Sequence, residues 1–202
     1  MTLVDSISIK RLGRVAYLPT LEAMRAFTSR RDESSADELW LLEHPPVYTL
    51  GQGTARASLK NGIALVKADR GGDITYHGPG QLVVYTLVDL ARRGIKVKQF
   101  VALLEQAVID LLGGRGERRA GAPGVYVGGA KIAALGIRVR QGRAYHGLSL
   151  NVDMDLSPFS AIDPCGYPGL AVTQTKDLGI DSDMSELGTR LARLLVERIE
   201  NA

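Results

Sequence analysis

The sequence predicts an α/β (α+β) domain with a mixed, largely antiparallel sheet flanked by helices. Three observations carry that prediction. Strand-like and helix-like segments alternate along the 202 residues. Residues 131–140 and 143–152 read as two strands of a hairpin around Gln141-Gly142, a turn pair suited to tight antiparallel reversal. Residues 82–88 (LVVYTLV) form a nearly continuous apolar run, the pattern of a strand buried on both faces. The length suffices for one full core, so residues 1–202 are expected to form a single domain.

Taken in order, residues 4–17 predict an opening strand or hairpin punctuated by Gly13. Residues 20–31 predict a helix behind Thr20 as N-cap, with Leu21, Met24 and Phe27 at near-helical spacing. The run ELWLLE at 38–43 reads as a strand that stops at His44-Pro45-Pro46, where proline cannot continue a ladder. Residues 63–69 read as a further strand. Residues 97–112 predict an amphipathic helix with Val97, Val101, Leu104, Val108 and Leu111 on one face, ended by Gly113-Gly114. A last helix at about 184–199 opens on Asp183 and Glu186 at capping-box spacing and carries Leu187, Leu191, Leu194 and Ile199 as its stripe.

Composition narrows the function classes. With 45% hydrophobic and 23% charged residues the chain is an ordinary globular one. A net charge of +3 without an aromatic-interleaved basic stripe argues against nucleic acid. No apolar run reaches the length a bilayer demands, so no membrane partner is expected. Residues 1–10 alternate apolar and polar around Asp5 and do not read as a targeting peptide. Cys165 is the only cysteine, which excludes an internal disulfide and a cysteine-based zinc site and fits a reducing, cytoplasmic setting. His44, His77 and His146 lack metal-ligand spacing, so no metal is expected.

Three segments are too rich in glycine, proline and polar residues for plain scaffold. Arg70 to Gln81 (RGGDITYHGPGQ) would let a ligand chain lie against the backbone at Gly71-Gly72; a long hairpin turn is the plainer alternative. Gly124 to Gly136 (GVYVGGAKIAALG) lacks the Gly-Lys-Ser/Thr of a phosphate loop. Lys131 opens its strand beside small apolar residues, and on spacing alone reads as a solvated side chain at a strand end. In Ile162 to Tyr167 (IDPCGY), Cys165 sits between proline and glycine, unlike a structural cysteine within an apolar helix or strand. His44 reads as a turn residue, and His146 as a core or pocket-lining one. A Cys–His pair as nucleophile and base stays open on composition.

Together with LLEHPPVYTLG at 41–51 and HGLSLN at 146–151, these segments resemble, in order and over about residues 38–176, the lipoyl(octanoyl) transferase family. The resemblance implies a fold similar to the catalytic domain of biotin and lipoate protein ligases. It implies transfer of an octanoyl group from octanoyl-acyl carrier protein to a lysine of lipoyl domains, in 2-oxoacid dehydrogenase complexes and the glycine cleavage H protein, within lipoate biosynthesis. Cys165 would carry the acyl thioester and Lys131 would pair with it. Arg70, Gly71, Gly72, Asp73, Ile74, Thr75, Tyr76 and His77 would line the acyl tunnel, with Ala134, Leu135, Gly136, Gly147, Leu148 and Ser149, and His146 as an auxiliary.

The chemistry agrees with the resemblance. A thioester donor exchanges with a thiolate at little cost, and the amine acceptor then forms an amide downhill, with no cofactor or ATP required. The alternatives are an ATP-dependent lipoate or biotin ligase, which would need a nucleotide site, and a non-catalytic acyl-carrier-binding module, which would gain no covalent acyl group. Arg92, Arg93, Arg138, Arg140 and Arg143 are candidate cations for steering an acidic carrier.

Overall fold

A computed structural model describes residues 6–53, 59, 61–162, 169–180 and 183–202. The chain builds two sheets. β1 (Ile7–Arg14), β2 (Asp37–Glu43), β6 (Gln81–Asp89), β9 (Arg143–Asn151), β8 (Ala130–Arg140) and β7 (Gly124–Val127) lie side by side in that order. β1 and β2 are parallel, and every other neighbouring pair of this sheet is antiparallel. A smaller sheet sets β3 (Val47–Leu50) between β4 (Leu65–Lys67), parallel to it, and β5 (Ile74–His77), antiparallel.

β6 occupies the centre, and all nine of its residues are buried. Its alternation feeds two cores. Leu82, Val84 and Val88 face α3 (Val97–Leu111) and α4 (Met184–Glu200), with Phe100, Leu104, Leu187 and Leu191. Val83, Tyr85 and Leu87 face α1 (Tyr17–Arg30), with Leu21 and Met24. A short helix α2 (Leu90–Arg93), capped by the Asp89 side chain, follows β6 directly. The β8–β9 hairpin turns on Gln141 and Gly142 at φ 51° and 76°, the paired left-handed geometry of a two-residue hairpin turn.

Several details depart from the sequence reading. α1 starts at Tyr17 with Ala16 as N-cap, and Thr20 lies inside it, its hydroxyl donating back to the Ala16 carbonyl at 2.8 Å. α3 buries Phe100, Glu105 and Ala107 beside Leu104, Val108 and Leu111, while Val97 is 47% exposed. In α4 the stripe runs through Leu195 rather than Leu194. The strand expected over 63–69 is only β4, and β3, β5 and β7 went unpredicted as strands. His44 is fully buried, with Nδ1 2.7 Å from the Val15 carbonyl and Nε2 2.7 Å from the Tyr85 hydroxyl, so it is a core residue and no turn marker.

Three of the five steering arginines are already engaged. Arg92 and Arg93, with Arg31, converge on the fully buried carboxylate of Asp37, and Arg143 pairs with Asp89. Burial pushes the Asp37 carboxyl up, but the Asp89 N–H and the guanidiniums outweigh it and hold the group below its ordinary value. This cluster ties the start of β2 to α1 and α2.

Candidate active site

Residues of both sheets line a cleft with about 730 Å3 of empty space, open solvent included. β5 supplies Ile74, Thr75 and His77; β6 supplies Gln81, Val83 and Tyr85. The β8–β9 hairpin supplies a floor of small residues, among them Ala133, Ala134, Gly136, Gly147 and Ser149. Their size follows from close packing: a Cβ on Gly136 would lie 2.9 Å from the Gly71 carbonyl oxygen, and one on Gly147 would strike the backbone of Val84. Arg70, Gly72, Asp73, Leu135, Leu148 and His146 complete most of the expected lining.

Two expected residues stand outside that wall. The Gly71 N–H donates to the Ile137 carbonyl at 2.9 Å and anchors the RGG segment to β8. The Tyr76 ring packs against Tyr48 and Phe159, in the apolar cluster that also holds Ile74 and Met154. Arg70 is buried, and its guanidinium donates to the Thr49 carbonyl and hydroxyl and to the Gly71 carbonyl, so it fixes the loop as well as lining the cleft.

Lys131 lines the cleft and is 3% exposed, which corrects the reading of a solvated strand end. A distant segment pairs beside it. The Lys131 N–H donates to the Ala171 carbonyl at 2.8 Å, and the Thr173 N–H donates to the Lys131 carbonyl at 3.0 Å, so Val172 lies parallel beside Lys131. A chain of side-chain amides leads to the same segment. His77 Nδ1–H donates to Gln81 Oε1 (2.7 Å), Gln81 Nε2–H to Asn151 Oδ1 (3.0 Å), and Asn151 Nδ2–H to the Thr173 carbonyl (2.9 Å). Cys165 itself, with Asp163, Pro164, Gly166 and Tyr167, lies outside the described residues. On either side of it in the chain, Phe159 and Val172 both line the cleft.

At neutral pH the cleft histidines are uncharged. Burial, aided by His44 and Arg70, lowers His77 to about 3. Burial also lowers His146, although Asp69 opposes it. Asp69 accepts from His146 Nε2 at 2.8 Å, from the Tyr145 hydroxyl at 2.7 Å and from Arg25 at 3.0 Å. Burial raises the Asp69 carboxyl and those three donors more than reverse it. His146 holds a left-handed backbone at φ 62°, uncommon outside glycine. Its Nδ1 and the Tyr17 hydroxyl are buried without a hydrogen-bond partner among the described residues. Burial also pushes the Tyr17 hydroxyl up to about 12, so it stays protonated. The walls are therefore apolar or neutral over most of their surface, suited to an extended acyl chain, with a buried amine at Lys131.

Tyr17, Gln81, Val83, Tyr85, Asn151, Phe159 and Val172 line the cleft without having been singled out. Gln81 closes the RGGDITYHGPGQ motif and Asn151 closes HGLSLN, so the motif ends were the available signal. Tyr17 and Tyr85 sit inside regular elements and offered none.

Comparison with known proteins places this geometry. The family model described as the lipoyl protein ligase A/B catalytic domain matches residues 16–195. An octanoyltransferase of Aromatoleum aromaticum is 62% identical over 199 residues, covering 94% of this chain and 86% of that one. One from Thiobacillus denitrificans is 59% identical, covering 96% and 91%. Among solved structures, lipoate-protein ligase A bound with ATP superposes with a TM-score of 0.77 at 20% identity, over 95% of this chain and 85% of that one. Biotin protein ligase from Aquifex aeolicus in complex with biotin and ATP gives a TM-score of 0.64 at 13% identity, over 96% and 71%.

Proposed function

Since the chain belongs to the lipoyl protein ligase A/B catalytic domain family, we propose that its octanoyl transfer runs in two steps through a thioester on Cys165. Its activity is that of an acyltransferase of lipoate biosynthesis, and its acceptors are lipoyl-domain proteins. We take residues 1–202 as one acyltransferase domain working in the cytoplasm; no helix of the described residues is long and apolar enough to cross a membrane.

In the first step the Cys165 thiolate attacks the thioester carbonyl of octanoyl-acyl carrier protein. A bond forms from Sγ to the acyl carbon, and the carrier's carbon–sulfur bond breaks. The proton lost by Cys165 passes through Lys131 to the departing carrier thiolate. An ammonium at Lys131 favours the thiolate over the thiol, whose free pKa is about 8.5. In the second step the amine of a lipoyl-domain lysine attacks the acyl-enzyme, the amide forms, and the Sγ–acyl bond breaks. Lys131 takes the amine's proton and returns it to Cys165. The sum is carrier thioester plus amine to carrier thiol plus amide, balanced without ATP. The acceptors we expect are the lipoyl domains of 2-oxoacid dehydrogenase complexes and the glycine cleavage H protein.

The observation that best supports this reading is the buried amine of Lys131 in a neutral, apolar-walled cleft, on a strand held against Ala171–Thr173, just downstream of Cys165. Intact-mass measurement after mixing with octanoyl carrier, without ATP or magnesium, tests it. One octanoyl group should appear on the wild type and none on Cys165→Ala. Transfer at the wild-type rate by Cys165→Ala, or a strict need for ATP, would reject the thioester route.

A further inference from the structure

We propose that Tyr126 is a positioning residue for Lys131: its ring face, together with the bare backbone of Gly124, fixes the direction of the Lys131 ammonium in the cleft. This rests on the reading of Lys131 as the partner of Cys165.

Tyr126 and Lys131 are cross-strand partners in the β7–β8 pair, so their side chains rise from the same face. The register shifts by one residue between Val125 and Tyr126, leaving Ile132 as the extra residue on β8. Such bulges re-aim a side chain. Here the side chain is Lys131, whose Nζ lies 5.3 Å from the centroid of the Tyr126 ring. That is within range of a cation–π attraction, which strengthens when both groups are withdrawn from water. Tyr126 is fully buried and Lys131 nearly so.

The ring is held as a fixed platform. Its hydroxyl donates to the Ala122 carbonyl at 3.1 Å, and its backbone exchanges hydrogen bonds with Glu117 at 2.8 and 3.0 Å. The Arg119 guanidinium lies 4.3 Å from the same ring centroid and donates to the Gly129 carbonyl. Gly124 supplies the space. At φ 143° it adopts a conformation that favours glycine, and a Cβ there would strike the Lys131 side chain, 3.2 Å from Nζ and within contact of Cε. The buried Glu105 on α3 accepts the Gly124 N–H at 3.0 Å and pairs with Arg118, which keeps this stretch in register. Among the described residues, the charged groups bonded to this stretch are Glu105 of α3 and Arg118 and Arg119 of the loop before β7, and Arg70 and Asp73 line the same cleft as Lys131.

The test reads the pH dependence of Cys165 alkylation together with single-turnover octanoyl loading, in wild type, Lys131→Ala, Tyr126→Phe and Tyr126→Met. Phe keeps the ring face and loses only the hydroxyl; Met fills the space with no π face. Tyr126→Met should raise the alkylation midpoint part of the way toward the Lys131→Ala value and slow loading about tenfold, the scale of a desolvated cation–π contact. Tyr126→Phe should restore both. A purely structural role would lower thermal stability in both variants without moving the midpoint. If Lys131→Ala moves the midpoint and Tyr126→Met does not, the positioning role is overturned and the Lys131 reading stands. If Lys131→Ala moves nothing, the Lys131 reading fails instead. A measurement on the unaltered protein covers the case of a variant that does not fold. The Lys131 ε-methylene protons, assigned by difference from Lys131→Arg, should resonate upfield of free lysine through the ring current, and an unshifted signal overturns the proposal.

Discussion

The Lys131 backbone N–H donates to the Ala171 carbonyl at 2.8 Å, and this bond joins two stretches that the sequence keeps forty residues apart. Its companion, from Thr173 to the Lys131 carbonyl, closes a short parallel ladder over the amine-bearing end of the cleft. The segment that follows Cys165 in the chain is thus part of the wall around Lys131, and any change that loosens it should reach the chemistry.

Asn151 offers a way to loosen it. Its amide accepts from Gln81 and donates to Thr173, and it is 5% exposed. Asn151→Ala leaves one buried donor hydrogen of Gln81 and the partly exposed Thr173 carbonyl without their partner, at a cost of about 1–3 kcal/mol. Urea unfolding should show that loss, and octanoyl loading at a temperature where the variant remains folded should fall as well. Normal loading with the stability loss intact would mean that the ladder over Lys131 does not serve the reaction.

The cleft floor is made of small residues, so filling it should discriminate by chain length. Ala134 lines the cleft and is partly exposed. Ala134→Phe adds a ring to that floor. Overpacking in a tight site costs about 1–3 kcal/mol, which corresponds to a loss of roughly ten- to hundredfold in loading with an eight-carbon group. A two- or four-carbon donor should be loaded with much less penalty. Equal losses for short and long donors would place the acyl chain elsewhere.

His77 couples stability to pH. Burial lowers it to about 3, against about 6.5 for an exposed histidine. Between those values the unfolded chain binds a proton that the folded chain refuses. The contribution of His77 is therefore fully present above pH 6.5 and is lost as pH falls below it, at up to about 1.4 kcal/mol per unit. His44 and His146 are lowered by burial too and act in the same direction. Unfolding free energies at pH 7.5, 6.0 and 5.0 should decline, with a shallower slope in His77→Gln. Parallel slopes would show that His77 is already accessible to protons in the folded state.

What the sequence made legible follows from how local each signal is. The β8–β9 hairpin announces itself through Gln141-Gly142, the central strand β6 through a nearly continuous apolar run, and α4 through Asp183, whose side chain accepts the Glu186 N–H at 2.7 Å. Two of the three segments rich in glycine and polar residues, Arg70 to Gln81 and Gly124 to Gly136, do meet at one cleft; the third, IDPCGY, lies outside the described residues from Asp163 on. Harder to read were features settled by distant partners. β5 is hidden in a glycine-rich stretch because its pairing with β3 fixes it, not its composition. Lys131 reads as solvated until the fold buries it in the cleft, with Ala171–Thr173 paired alongside. Arg92 and Arg93 read as surface charge until Asp37 is found beneath them. Asp69 attracted no notice at all, since nothing near it in the chain hints at His146.

Asp69 also yields the most exacting check on the cleft. Its carboxylate is held below the ordinary range by His146, Tyr145 and Arg25 against the opposing effect of burial, so at neutral pH it is ionised and only accepts. His146, kept neutral by burial, must then carry its proton on Nε2 to donate across the 2.8 Å contact, leaving Nδ1 as a bare acceptor. Asp69→Asn removes the charge and places an amide N–H among three donors. One of them loses its acceptor, and the expected cost is about 1–3 kcal/mol. The imidazole can escape that conflict by moving its proton to Nδ1 and accepting from the new amide at Nε2. Long-range proton–nitrogen correlation spectra of nitrogen-labelled protein should therefore report the Nε2–H tautomer for His146 in the wild type and the Nδ1–H tautomer in Asp69→Asn. Acyl loading should weaken alongside, because a donor would then stand where the cleft now has an acceptor. A wild-type His146 that is protonated on both nitrogens at pH 7 would overturn this account of the cleft as a neutral site.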